Sequence, residues 1–262
     1  MSDTHGLRLD RDESGRVATI TLDVPEKLNR VTMPARDRLR ELFEELGRDE
    51  EVRAVVLRGA GRAFTAGGDI QGFLDASPEE VSRLAWNVAA PERCPKPVIA
   101  LLHGFAFGVG LELALACDFR IAAEGTELAL PELNLGVIPG SGGTQRLARL
   151  VGLGRAKDIV MRRHRVGADE ALALGLVTEV VAEGELDAAA GRLLEELSTT
   201  SPLALAMAKR VLNHAYDGPL AVGLELEGLA YGLLRTTDDF AKASRHSSRS
   251  ASRNSRGVSS RR

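Results

Sequence analysis

The chain has 262 residues, 44% of them apolar, and a net charge of −3. That apolar content can fill the core of one large domain, with or without an appendage, and marks a globular protein rather than a disordered one. No apolar run reaches the length of a membrane span, and the opening MSDTHGLRLDRDESG is too polar for a secretory signal, so no membrane partner is expected and the expected location is cytoplasmic.

The stretch VATITLDVPEKLN places Ala18, Ile20 and Leu22 on one face at period two and breaks at Pro25, which predicts a strand and its exit loop. In MPARDRLRELFEELGRDEEV, Leu39, Leu42, Phe43 and Leu46 recur at helical spacing, and Gly47 is expected to close the helix. RAVVLRG reads as a short buried strand. A strand in KPVIALLHG, a glycine-rich turn, a helix from about Gly110 and a strand in DFRIAA follow. Strands alternating with helices predict an α/β core. From Ser141 onward the pattern is helical, with VTEVVA as its one strand, and no tandem sequence repeat is visible. The expected organisation is an α/β core over 1–190, a helical region over 191–240 and a basic, Ser/Arg-rich tail over 241–262. That tail carries seven Lys or Arg and no acidic residue. It reads as a disordered arm, and the body without it is acidic, which argues against a nucleic-acid-binding core.

Three stretches could carry chemistry. In RAFTAGGDI, Ala66, Gly67 and Gly68 have almost no side chain, so backbone N–H groups can approach a ligand; a tight turn explains them equally. In HGFAFGVGLELALACD, Gly104, Gly108 and Gly110 lead into a helix whose N-terminus favours developing negative charge. The spacing is neither a Rossmann fingerprint nor a P-loop. Glu112 falls in the first turn of that helix among Leu111, Leu113, Ala114, Leu115 and Ala116. A dipole partner on a solvated face is the bland reading, but these neighbours leave no such face. In PELNLGVIPGSGGTQRL, Glu132 follows Pro131. Alone it is a turn carboxylate, but beside Glu112 it offers a second acid, and two carboxylates in different environments can divide acid and base work.

Other chemistries fit poorly. Ser141 lacks the first glycine of a nucleophile elbow, and the five histidines (His5, His103, His164, His214 and His246) have no ligand spacing, so no metal is expected. His103, at the end of a buried strand, reads as a hydrogen-bonded core histidine. Cys94 and Cys117 form neither a disulfide framework nor a zinc pattern.

AFTAGGDI, HGFAFGVGLELALACD, PELNLGVIPGSGGTQRL and ADEALALGLVTEVV, in this order, resemble the enoyl-CoA hydratase/isomerase (crotonase) superfamily from about Val17 to Phe240. The resemblance implies a crotonase-like α/β fold: a spiral of ββα units forming two sheets, with a C-terminal helical region that builds homotrimers, often paired as hexamers. It implies an acyl-CoA thioester as substrate and no cofactor, coenzyme A being part of the substrate. Glu112 and Glu132 match the two glutamates that hold a water over the enoyl double bond, and retention of both favours a hydratase over the family's other reactions; fatty-acid metabolism by β-oxidation is the setting the resemblance suggests, without naming the pathway. The backbone N–H groups of Ala66 and Val109 match the oxyanion donors, each worth about 3 kcal/mol of barrier. Val109 departs from the family's usual glycine. Lys27 and Leu28 match the contact region for the adenine end, Ala66, Gly67, Gly68 and Asp69 match the pantetheine path, although Asp69 could equally serve only its own turn, and Gly108 is a further expected substrate-binding position. An isomerase, an acyl-CoA lyase and a silent or RNA-binding scaffold are the alternatives; only the basic tail supports the last, and nucleic acid is not expected as a partner.

The family ending is absent after Ala241. With a suitable choice of synonymous codons, one restored G before the Lys242 codon turns FAKASRHSSRSASRNSR into FAEGVAAFLEKRVAEFK, which resembles that ending, so a one-nucleotide frameshift is expected in the gene.

Overall fold

A computed structural model describes residues 3–74 and 76–245. The expected tail therefore lies largely outside the described residues, as does most of the segment to which the frameshift expectation applies.

A six-stranded sheet forms the centre of the larger unit, in the order β1 (Leu7–Arg11), β2 (Val17–Leu22), β3 (Ala54–Gly59), β4 (Val98–Leu102), β6 (Phe119–Ala123) and β9 (Glu179–Val181). β1 is antiparallel to β2, and every later neighbour is parallel. The short, mostly exposed LRLDR of β1 is a strand not expected from the sequence; it is an edge strand, with Asp10 and Arg11 exposed. By contrast β4, VIALL, is buried at every position, as expected for a parallel strand covered on both faces.

A smaller sheet holds β5 (Phe105–Phe107), β7 (Glu127–Ala129) and β8 (Val166–Gly167). Two single-residue bridges continue it, Thr65 to Ala106 and Val31 to Gly68. After β2, β3, β4 and β6 in turn, the chain therefore visits the second sheet once before returning to the first. This is the spiral of ββα units that the resemblance implies. The repeat is one of backbone path, with single bridges standing for strands in two of its turns.

Helices follow the second-sheet visits. α1 (Met33–Arg48) starts with Thr32 Oγ1 accepting from the N–H of Ala35 and buries Ala35, Arg36, Leu39, Leu42, Phe43 and Leu46. It does not stop at Gly47. A Cβ there would come within 2.9 Å of Pro95 Cδ, so the glycine serves close packing rather than termination. Four short helices follow, α2 (Ile70–Leu74), α3 (Pro78–Ser82), α4 (Leu84–Val88) and α5 (Ala90–Arg93), in a stretch with no clear sequence period. α6 (Val109–Ala116) is buried at all eight positions. Beyond it come α7 (Gly143–Val151), α8 (Leu153–Met161), α9 (Ala168–Ala173) and α10 (Leu186–Ser198).

The larger unit ends at Thr199, not at residue 190. α10 spans the expected boundary and packs Leu186, Ala189 and Ala190 with Ile99, Leu101 and Ile121, so it belongs to the sheet. The second unit begins at Thr200 and contains α11 (Pro202–Asn213) and α12 (Leu220–Leu234), which pack on each other; residues 238–245 are helical.

Candidate active site

The two acids reach one place from two elements. Glu112 lies in the first turn of α6, and its N–H donates to the Gly108 carbonyl at 3.0 Å. Glu132 opens a 3₁₀ turn, Glu132–Leu135, behind Pro131. A Cβ on Gly108 would lie 3.0 Å from Glu132 Oε1, so Glu132 reaches back to the start of the helix that carries Glu112. Gly108 also has φ +53°, and only glycine meets both demands without strain.

Glu112 is 2% exposed, and its burial is compensated by specific donors. Its Oε1 accepts the N–H groups of Ser141 at 2.7 Å and Gly143 at 2.9 Å. Gly143 is the first residue of α7, whose N-cap, Gly142, offers no side-chain acceptor. One oxygen of Glu112 thus serves as the missing cap of α7 and is fixed by it, while Oε2 has no partner among the described residues. A Cβ at position 143 would come within 3.0 Å of this carboxylate.

Glu132 is in the opposite condition. Its Oε2 is buried and has no hydrogen-bond partner among the described residues. Desolvation pushes its pKa up to about 7, the negative charge of Glu112 adds to the rise, and its own N–H and Arg36 oppose it. The pair therefore holds an anchored carboxylate beside one poised to exchange a proton near neutrality.

The donor expectation is corrected at Ala66. Its N–H donates to the Leu28 carbonyl at 2.9 Å and is not available to a ligand. In the same loop Gly67 N–H donates to Thr65 Oγ1 at 3.0 Å and Asp69 N–H to Val31 O at 3.1 Å. Of this loop's four amides, only that of Gly68 has no acceptor among the described residues. Val109, at the first position of α6, likewise has none, whereas Gly108 N–H is bound to Ala129 O at 2.9 Å. Gly68 and Val109 each follow the bridged pair Thr65–Ala106 by three residues, so both open donors leave the same end of that pairing. The resemblance assigned this donor to Ala66; which amide is open depends on pairing with Leu28 and Val31, about forty positions away.

The remaining candidates fall nearby. Lys27 is exposed at the end of the 3₁₀ turn Pro25–Lys27, and Leu28, with φ +51°, provides the carbonyl that ties this loop to Ala66. Asn29 holds the same loop: its Oδ1 accepts from Val24 N–H, and its Nδ2 donates to the carbonyls of Ala60, Ala63 and Phe64. Asp69 pairs with Arg30 at 3.3 Å. His103 Nε2 donates to the Gly61 carbonyl at 3.0 Å, and burial lowers its pKa. Cys94 and Cys117 are buried in the core. Among the described residues no cluster of His, Cys, Asp and Glu could hold a metal ion, and no helix is long and apolar enough to cross a membrane.

Arg36 was missed. It is 3% exposed on the buried face of α1, at helical spacing from Leu39 and Phe43, and its Nη1 donates to Ser141 Oγ at 3.1 Å. The signal that singled out Glu112, a charge on an apolar face, was present here too.

A sequence profile described as Enoyl-CoA hydratase/isomerase matches residues 12–247. The chain belongs to the enoyl-CoA hydratase/isomerase family. It is 40% identical to YngF of Bacillus subtilis over 228 residues, covering 85% of this chain and 88% of that protein. It is 36% identical to a short-chain-enoyl-CoA hydratase of Clostridium acetobutylicum, covering 87% and 89%. The crystal structure of an enoyl-CoA hydratase from Bacillus anthracis superposes with a TM-score of 0.85 at 35% identity, over 93% of this chain and 96% of that one. These similarities place the crotonase fold and a family of acyl-CoA enzymes on the same residues that carry the two acids.

Proposed function

We propose that the protein is an enoyl-CoA hydratase, adding water reversibly across the double bond of a 2-enoyl-CoA to give a 3-hydroxyacyl-CoA. The observation that carries this reading is the pair of acids, one anchored and one with its proton near release, at the start of a single helix. The thioester oxygen sits between the N–H groups of Gly68 and Val109, which stabilise the enolate-like charge that builds there. Glu112 Oε2 orients a water and takes its proton as oxygen attacks C3. Glu132 gives its proton to C2, and the two acids end with the proton exchanged between them. The reaction in this direction needs the proton on Glu132 and a free acceptor oxygen on Glu112.

Coenzyme A lies along the loops of Lys27–Leu28 and Ala66–Asp69, which Leu28 O and the Val31–Gly68 bridge join. No further cofactor is needed, since the thioester itself supplies the electron sink. The protein works as a homotrimer, or a hexamer built from two trimers, through the apolar surface of α12, and in the cytoplasm. A role in fatty-acid β-oxidation is consistent with that chemistry.

Product analysis tests the reaction. A 2-enoyl-CoA should lose its conjugated-thioester absorbance and yield the 3-hydroxyacyl-CoA, whereas a 3-enoyl-CoA should not be converted at a comparable rate. Rapid conversion of the 3-enoyl to the 2-enoyl thioester, with no hydroxyacyl product, would replace hydratase with isomerase.

A further inference from the structure

α1 carries a buried cation that no acid meets. No carboxylate oxygen lies within 4.0 Å of the Arg36 guanidinium among the described residues. Nη1 is used by Ser141 Oγ, but Nε is buried with no acceptor, and Nη2 has none either. Nε and Nη2 form one edge of the guanidinium, the fork that receives a carboxylate through two parallel hydrogen bonds.

The surroundings are shaped around this group. The guanidinium lies over the Phe73 ring, 5.0 Å from its centroid. Gly68 does not have a positive φ, so its backbone would accept any residue. Yet a Cβ there would come within 2.8 Å of Arg36 Nη2 and 3.2 Å of the Phe73 ring. A side chain at 68 would therefore displace the guanidinium or the ring, and glycine leaves both in place. Burial lowers the Arg36 pKa to about 10, which still leaves it charged at neutral pH. Glu112 and Glu132 act on it only across a distance, and one of them is bound to the amides of Ser141 and Gly143.

We infer that Arg36 is a specificity residue, whose open Nε–Nη2 edge receives a carboxylate at the far end of the acyl chain, so that the substrate is a short enoyl-CoA ending in a second acid. This rests on the hydratase reading, which puts the thioester oxygen at Gly68 N–H. Nη2 lies against the same glycine, so the fork is within a few bonds of C3. A plain alkyl tail in that place would leave a charged, half-bonded guanidinium against hydrocarbon, the costliest way to bury one.

The test compares two thioesters of equal size, 4-carboxybut-2-enoyl-CoA and its uncharged isostere 5-methylhex-2-enoyl-CoA. The wild-type kcat/KM should favour the acid by about 10- to 100-fold, the range of a charge-assisted hydrogen-bonded pair. Arg36→Met should abolish or invert that ratio, and Arg36→Lys should keep only part of it, having the charge without the fork. A wild-type ratio near one overturns the inference, and so does an Arg36→Met variant that slows both thioesters equally, which would make Arg36 a counter-ion of the glutamates. Calorimetry with the saturated glutaryl-CoA and 5-methylhexanoyl-CoA separates the two readings. Preferential binding of the acid without hydration would keep the role of Arg36 and remove the hydratase; hydration of both thioesters without preference would do the reverse.

Discussion

Two helices of similar composition meet opposite fates in this chain. α6 reads VGLELALA and is buried at all eight positions; α12 reads LAVGLELEGLAYGLL and buries only Ala230. Both are apolar around most of their circumference, so neither has the stripe that would tell sequence which side faces inward. α6 is enclosed by the strands and helices of its own unit. α12 leaves Leu220 77% exposed and Leu229 68% exposed, a surface that asks for a partner of similar character. An apolar helix therefore declares that it will be covered, but not by what.

The contrast can be broken first at its chemical centre. Replacing Glu112 with Gln keeps an oxygen for the Ser141 and Gly143 amides and removes the charge. Hydration kcat should fall by about 10²- to 10⁴-fold, with thioester binding retained, in steady-state and binding assays. The core side of α6 comes next. Leu113 is 1% exposed, and Leu113→Ala should cost about 2–5 kcal/mol in urea unfolding of the assembled protein.

A smaller effect comes from pH. Glu132 has its pKa raised from 4.5 to about 7, so it holds its proton below that value and loses it above. The kcat/KM for hydration should therefore decline about tenfold per pH unit on the alkaline side of 7, and Glu132→Gln should abolish that limb along with most of the activity. A flat profile through pH 8 would contradict the assignment of the acid.

The least change in protomer stability belongs to α12. Leu229→Ser should alter unfolding of the isolated chain by no more than about 0.5 kcal/mol, because the side chain is already in water there. It should nevertheless shift the sedimentation coefficient from trimer or hexamer toward monomer. An unchanged assembly would remove α12 from the subunit contact.

Much of the architecture was legible before any coordinates. Period two in VATITL, helical spacing in α1 and the glycines before α6 are local consequences of backbone geometry, and they predicted the α/β core and the helix that carries Glu112. The conflict between the charge of Glu112 and its leucine neighbours was visible as well, because burial of a carboxylate is costly whatever the fold. The same conflict at Arg36 was equally written in the spacing, and went unread because a helix rich in arginines hides the single one that turns inward.

Tertiary structure alone decided the rest, for one physical reason: backbone hydrogen-bonding groups are identical along the chain, and only long-range pairing determines which of them remain open. Ala66 and Gly68 look interchangeable as donors until Leu28 takes the first and leaves the second. The spiral repeat is invisible as sequence because two of its turns enter the second sheet through a single residue, Val31 or Thr65, too little to impose a pattern. Glycines 47, 68 and 143 likewise acquire their purpose from Pro95, Arg36 and Glu112, neighbours that only folding supplies.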